Sequence, residues 1–288
     1  MTLRDIPNIL KKGLNSFQLK ILAVIFMTLD HTAAFLSVVP AINTASETTR
    51  IIGRIAAPLF LYALSQGMRH TRSKEKFVLR LYIASLAMGT MNLVIDLAWP
   101  SEYLQTAPGN IFTTLFYVAL YATLIERIIQ GVQEKNPSQT LPPLFAIILT
   151  FGFAYIEMLV YNLTGFSDTA KYIIVKLTCV LFPNPFSVEY SFVFILLGVL
   201  WYFLRDKKQQ CSLFALLCAA SGLLMTHIPV SFHFRFFELF VPDQYWMFLS
   251  LPLIWLYNGN KGKSMKYFFY IYYPLHIYLL YLIGRLLT

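Results

Sequence analysis

The segment "FQLKILAVIFMTLDHTAAFL" (residues 17–36) is apolar over about the 20 residues that a helix needs to cross a bilayer, yet Asp30 and His31 stand side by side within it. The same texture recurs outward along the chain. Of the 288 residues, 57% are hydrophobic and 13% charged, against roughly 25% charged in a soluble domain. The expected class is all-α: a polytopic integral membrane protein with one transmembrane domain over residues 1–288.

Nine transmembrane helices are predicted, near 17–39, 50–68, 78–99, 110–130, 142–163, 188–204, 211–228, 240–257 and 267–287. Asp243 and Pro252 shorten the eighth. The run "KYIIVKLTCVLF" (171–182) is too short to span and carries Lys171 and Lys176. It reads as an interfacial or re-entrant segment ended by "PNPF".

Short cytoplasmic loops concentrate Lys and Arg, which sets the orientation. With the N-terminus inside, the inner face receives Arg4, Lys11, Lys12 and Lys20, then Arg69, Arg72, Lys74, Lys76 and Arg80, then Arg127, Lys135, Arg205, Lys207, Lys208, Lys261, Lys263 and Lys266. That is 17 of 23 cations, and a tenth span at 171–182 would turn "RDKK" outward. The formal charge of +9 is explained by this bias, so no nucleic-acid partner is inferred. Residues 1–16, "MTLRDIPNILKKGLNS", alternate Leu and Ile with Arg and Lys and suit an amphipathic leader on the inner leaflet of a cell membrane. No cleavable signal is evident. Cys179, Cys211 and Cys218 match no metal or redox spacing, and no metal is expected.

A rise of about 1.5 Å per residue places His31 roughly 12 Å below the outer face, Arg54 about 6 Å and Glu157 about 9 Å. Asn92, Asp96 and His227 fall near the same side, whereas His276 in "YYPLHIYLLYLI" falls near the midplane. Ionisable groups inside a bilayer cost on the order of 2.5–3.5 kcal/mol each, so they face an interior and pair. Such a layer reads as a functional cavity; for one pair, Asp30 with Arg54, it reads equally well as an ion-pair staple between helices. His70 and His233 fall in loops.

The segments "LKILAVIFMTLDHTAAFL", "IIGRIAAPLFLYALSQGMRHTRSKEKFVLRL" and "YYPLHIYLLYLI" resemble the TraX family of polytopic membrane proteins, over about residues 17–95 and 267–283. The most specific positions are Asp30-His31, Gly53-Arg54, Pro58-Leu59-Phe60, His70-Thr71 and Pro274-Leu275-His276. The family's namesake acetylates the N-terminal amine of conjugative pilin. Lys20 and His31, with ten residues between them, also resemble the basic-x10-His spacing of inner-membrane acyltransferases that O-acylate surface sugars, although Ile21 stands where Gly is usual.

The resemblance implies transfer of an acetyl group from cytoplasmic acyl-CoA to an extracytoplasmic acceptor, a pilin-like protein or a surface glycan. Such chemistry needs cations for the CoA phosphates, a base, and a charge for the tetrahedral oxyanion. Arg69, Arg72, Lys74 and Arg80 cluster at the inner ends of spans two and three and suit acetyl-CoA, with Lys20 nearby; each taken singly is better explained as a topology signal. His31 is the candidate base. Arg54 either orients Asp30 or meets developing negative charge. Because neighbours on a helix diverge by about 100°, Asp30 is not expected to orient His31 directly. His276 either positions the thioester or is a hydrogen-bonded core histidine. Two rival classes are a transporter, which would show repeats and midplane breaks, and a non-catalytic pilus or envelope assembly protein.

Overall fold

Every long apolar run in the described sequence is helical, because a backbone in lipid must satisfy its own hydrogen bonds. The computed structural model describes residues 12–37, 39–99, 110–162, 164–186, 188–227 and 244–287. The elements are α1 (Ser16–Phe35), α2 (Pro40–Gly53), α3 (Ala56–Met68), α4 (Lys74–Ala98), α5 (Ile111–Gln133), α6 (Pro137–Tyr161), α7 (Asp168–Leu181), α8 (Ser191–Phe203), α9 (Lys207–His227), a 3-10 helix at Gln244–Ser250, α10 (Leu251–Trp255) and α11 (Lys266–Leu287). Among the described residues there is no strand.

Among the described residues, five helices are long and apolar enough to cross a membrane: Ser16–Phe35, Ala45–Met68, Lys74–Ala98, Ile111–Gln133 and Pro137–Val160. The second shows that α2 and α3 act as one rod. At Gly53–Ala56 the ladder tightens by one step, with Arg54 N donating to Ile51 O and Ile55 N to Ile52 O, both at 3.2 Å, and then resumes. Span two therefore begins well before residue 50, and α2 reaches back to Pro40, which opens its first turn.

The predicted eighth span is not one helix where it is described. Pro252 has no N–H for the carbonyl four residues earlier, which removes an α-helical bond at 248–252 and favours a break there. A seven-residue 3-10 stretch ends at Ser250, and the five-residue α10 starts afresh with the proline in its first turn. The stretch 171–182 lies on α7, 14 residues long and none of them buried, a piece too short to span. Residues 1–11 of the predicted leader lie outside the described residues. Residues 12–17 are stitched to the 256–261 segment by Leu14 N to Leu256 O (2.7 Å), Asn258 N to Leu14 O (2.9 Å) and Ser16 N to Asn260 O (2.8 Å).

The single expected domain divides into two compact units. The first holds residues 1–70, 200–232 and 239–288, with α1, α2, α3, α9, α10 and α11. Its core gathers Leu19, Leu59, Tyr62, Trp201 and Phe214, with Tyr62 set edge-on to Trp201 at 5.2 Å. The second holds 71–199 and 233–238, centred on α5, where Tyr117, Val118, Ala119 and Ala122 are wholly buried. There Lys74 pairs with Glu126, and Arg127 with Glu75 at 2.6 Å, so both ion pairs tie the start of α4 to the end of α5.

Candidate active site

In the first unit α1 and α11 run parallel, as successive contacts along them show: Lys20 over the Phe269 ring, Thr28 with Tyr272, His31 with His276, and Phe35 against Tyr281. Asn15 starts α1 with a capping box, accepting from Gln18 N while Gln18 accepts from Asn15 N. Thr28 gives its one hydroxyl proton to Val24 O (2.8 Å), so the 2.8 Å bond to Tyr272 is donated by the phenol. That bond locks the register of the two helices one turn below the histidines.

His31 Nδ1 lies 2.7 Å from His276 Nε2. The ring planes are 11° apart and the centroids 5.0 Å apart. A nitrogen–nitrogen distance so short does not fit rings stacked face to face; they lie edge to edge in nearly one plane, sharing an N–H···N bond. His276 Nδ1 is 2.9 Å from the Tyr272 carbonyl, which can only accept. In the neutral pair the protons then follow: His276 donates through Nδ1, its Nε2 accepts from His31 Nδ1, and His31 Nε2 is left with a lone pair. Among the described residues that nitrogen has no hydrogen-bond partner. Phe35 and Tyr273 stand edge-on to His31 at 6.3 and 6.4 Å, and His276 is buried.

The two histidines are at one level, not in separate layers as helix counting places them.

Asp30 is buried, at 9% exposure, and its Oδ1 has no hydrogen-bond partner. A Cβ built at Gly53 would fall inside the Asp30 Cβ and lie 2.7 Å from Oδ1, so only glycine lets α2 approach there. The expected Asp30–Arg54 staple is not formed: the two side chains make no ion pair within 4.0 Å, and Asp30 Oδ1 and Arg54 Nε are without partners. Arg54 Nε is buried without a partner. Arg50 lies one turn before Arg54 on α2, the helix whose Gly53 meets Asp30. Sequence reasoning missed Arg50 because it marked the assumed edge of span two.

The predicted donor-binding cations are placed unequally. In the first unit Arg69 is fully engaged. Its Nε donates to Tyr202 O (3.1 Å), Nη2 to Trp201 O (2.6 Å) and to Leu204 O, and Nη1 to Gln66 Oε1 (2.8 Å). It caps the carbonyls at the end of α8. Burial, with Arg205 beside it, pulls its guanidinium below the ordinary arginine range, and the carbonyl cage holds the charge there. Lys20 is half-buried over Phe269 at 5.7 Å, and Lys261 is the charge that acts on it. In the second unit Lys74 is paired, Arg72 is exposed, and Arg80 lies along the Phe77 ring at 5.7 Å with its Nε unpartnered. Asn92 is buried and Asp96 accepts from the Tyr172 hydroxyl at 3.5 Å, both in that unit; the side chains of Glu157 and His227 lie outside the described set. No three His, Cys, Asp or Glu side chains gather as a metal site among the described residues.

A helical membrane protein with a hydrogen-bonded histidine pair between its first and last helices is the class that this geometry defines. The chain belongs to the TraX family: the family described as "TraX protein" matches residues 16–284. It is also similar to "Probable fimbrial assembly protein FimC, serogroup H1" of Dichelobacter nodosus, 28% identical over 275 residues, covering 92% of this chain and 94% of that protein. No solved structure matches.

Proposed function

We propose that the protein is an integral-membrane acyltransferase of the inner membrane, moving an acetyl group from cytoplasmic acetyl-CoA to an extracytoplasmic acceptor, a pilin-like N-terminus or a surface glycan. The observation that carries this is the relay from the Tyr272 carbonyl through His276 to His31, which leaves a nitrogen lone pair on His31. In the reaction the acceptor N–H or O–H attacks the thioester carbonyl carbon while His31 Nε2 takes its proton. The tetrahedral oxyanion collapses, the C–S bond breaks, and the imidazolium returns the proton to the CoA thiolate. His276 keeps His31 in the required tautomer. Among the predicted donor cations, Lys20 lies in the unit that holds the histidine pair, half-buried over Phe269, and supports donor phosphate binding there.

The parallel run of α1 and α11 supports an odd number of crossings, as in the nine-span reading with the N-terminus inside. The relative's name favours a second reading, a pilus or fimbrial assembly protein without catalysis. Incubating the purified chain with radiolabelled acetyl-CoA and a pilin-like peptide separates the two. Enzyme-dependent loss of thioester supports acyl transfer; a rate equal to that without protein leaves the assembly role.

A further inference from the structure

The loop "NGNKGKS" (258–264) is fastened to the start of α1. Ser16 N donates to Asn260 O (2.8 Å), Phe17 N to Lys261 O (3.2 Å), and Asn258 Nδ2 to Lys12 O (2.9 Å). Gly262 turns the chain at φ 68°, and a Cβ there would collide with the Oδ1 of Asn15, which caps α1. Only glycine allows that approach. Lys261 and Lys263 flank this contact and are exposed. Lys20 follows one turn beyond Phe17 on α1, half-buried, with its ammonium 5.7 Å from the Phe269 ring in the first turn of α11. The three lysines therefore spring from backbone positions gathered at one end of the seam between α1 and α11.

Nothing in these segments neutralises them. Residues 12–29 and 244–288 contain no aspartate or glutamate. Asp206 stands beside Lys207, which is spent on Trp255 O and Tyr257 O, and accepts from Lys208 N (3.1 Å). Among the described residues Lys20 has no hydrogen-bond acceptor or ion-pair partner, and the N–H groups of Lys261, Gly262 and Lys263 have no acceptor. A topology signal needs only cations in a loop. It does not call for a loop bonded to a helix start, nor for a lysine inside that helix without an anion. Ammonium groups beside unspent amides in a fixed turn are the chemistry that holds phosphate.

The same seam leads to the histidine pair. Lys20 and His31 are eleven residues apart, within about 20° of one face of α1, and Phe269 and His276 are seven apart on α11. The rise between them is about 16 Å on α1 and about 10 Å on α11.

We propose that Lys20, Lys261 and Lys263, with the amides of the 258–264 loop, bind the diphosphate of the acyl-CoA donor, whose pantetheine arm follows the α1–α11 seam and brings the thioester to His31. This assignment rests on the acyl-transfer reading.

The test titrates the purified full-length protein with acetyl-CoA by calorimetry and follows thioester consumption beside it. Lys261→Gln with Lys263→Gln is expected to keep the wild-type Tm and to weaken acetyl-CoA binding about 10- to 100-fold. If that pair does not fold, Lys263→Gln alone carries the comparison. Lys135→Gln, which removes an exposed charge from the second unit, is expected to bind as the wild type does. Wild-type affinity in the folded double variant overturns the site, and so does an equal loss in Lys135→Gln, which marks bulk charge. Unchanged acetyl-CoA affinity with fewer phosphatidylglycerol molecules retained in native mass spectrometry gives the lysines to lipid headgroups and overturns it too. Wild-type protein that binds acetyl-CoA through these lysines but consumes no thioester removes the acyl-transfer reading and leaves the phosphate site standing. Wild-type protein that binds no acetyl-CoA overturns the site itself.

Discussion

Three residues of α1 set the chemistry and its support: Thr28 fixes register, Asp30 meets Gly53, and His31 meets His276. Since His276 holds the tautomer of His31, His276→Ala is expected to lower kcat by about 10²-fold, with acetyl-CoA binding retained; steady-state kinetics beside donor titration checks it. Gly53→Ala poses opposing effects. Alanine in a helix gains roughly 1 kcal/mol over glycine, but here its methyl collides with Asp30 close to the backbone, and overpacking costs about 1–3 kcal/mol. The collision wins, so the variant is expected to have a lower Tm in a detergent-based thermal shift assay; a raised Tm would show that α1 and α2 part readily.

At the scale of elements, the cations divide by what they hold. Arg69 ties Trp201, Tyr202 and Leu204 at the end of α8, and charged hydrogen bonds contribute about 1.5–3 kcal/mol each. Arg69→Ala is therefore expected to lose stability, and Arg69→Lys to restore little, since an ammonium cannot fork to several carbonyls. Arg72→Ala with Arg80→Ala is expected to keep the fold and weaken acetyl-CoA affinity by about 1.5–3 kcal/mol per lost bond; fluorescence-detected gel filtration and calorimetry read the two effects apart. The long apolar helices were legible in the sequence because hydropathy marks whatever lipid must touch. Arg50 was not, because "PAINTASETTR" is polar and its helix is held by packing on α1. Nor was the break at 244–255, where hydropathy stays high while Pro252 decides the hydrogen bonding. His31 and His276 were each legible as titratable groups in apolar runs; their pairing was not, since it joins residues 245 positions apart.

For the whole molecule, the nine-span reading with the N-terminus inside puts 17 of 23 cations on the inner face and the 70–76 loop on the side of the N-terminus. In a background lacking Cys179, Cys211 and Cys218, Ser73→Cys is expected to resist a membrane-impermeant maleimide in intact cells and to react after lysis. Labelling from outside would invert the orientation and with it the donor side.

The central claim is that His31 is a base in acyl transfer, and turnover of purified, folded His31→Ala at saturating acetyl-CoA tests it most directly. The account predicts thioester consumption slowed by about 10²- to 10⁴-fold, with donor affinity near that of the wild type. Near-normal turnover in that variant would contradict it and return the histidine pair to a structural link between α1 and α11.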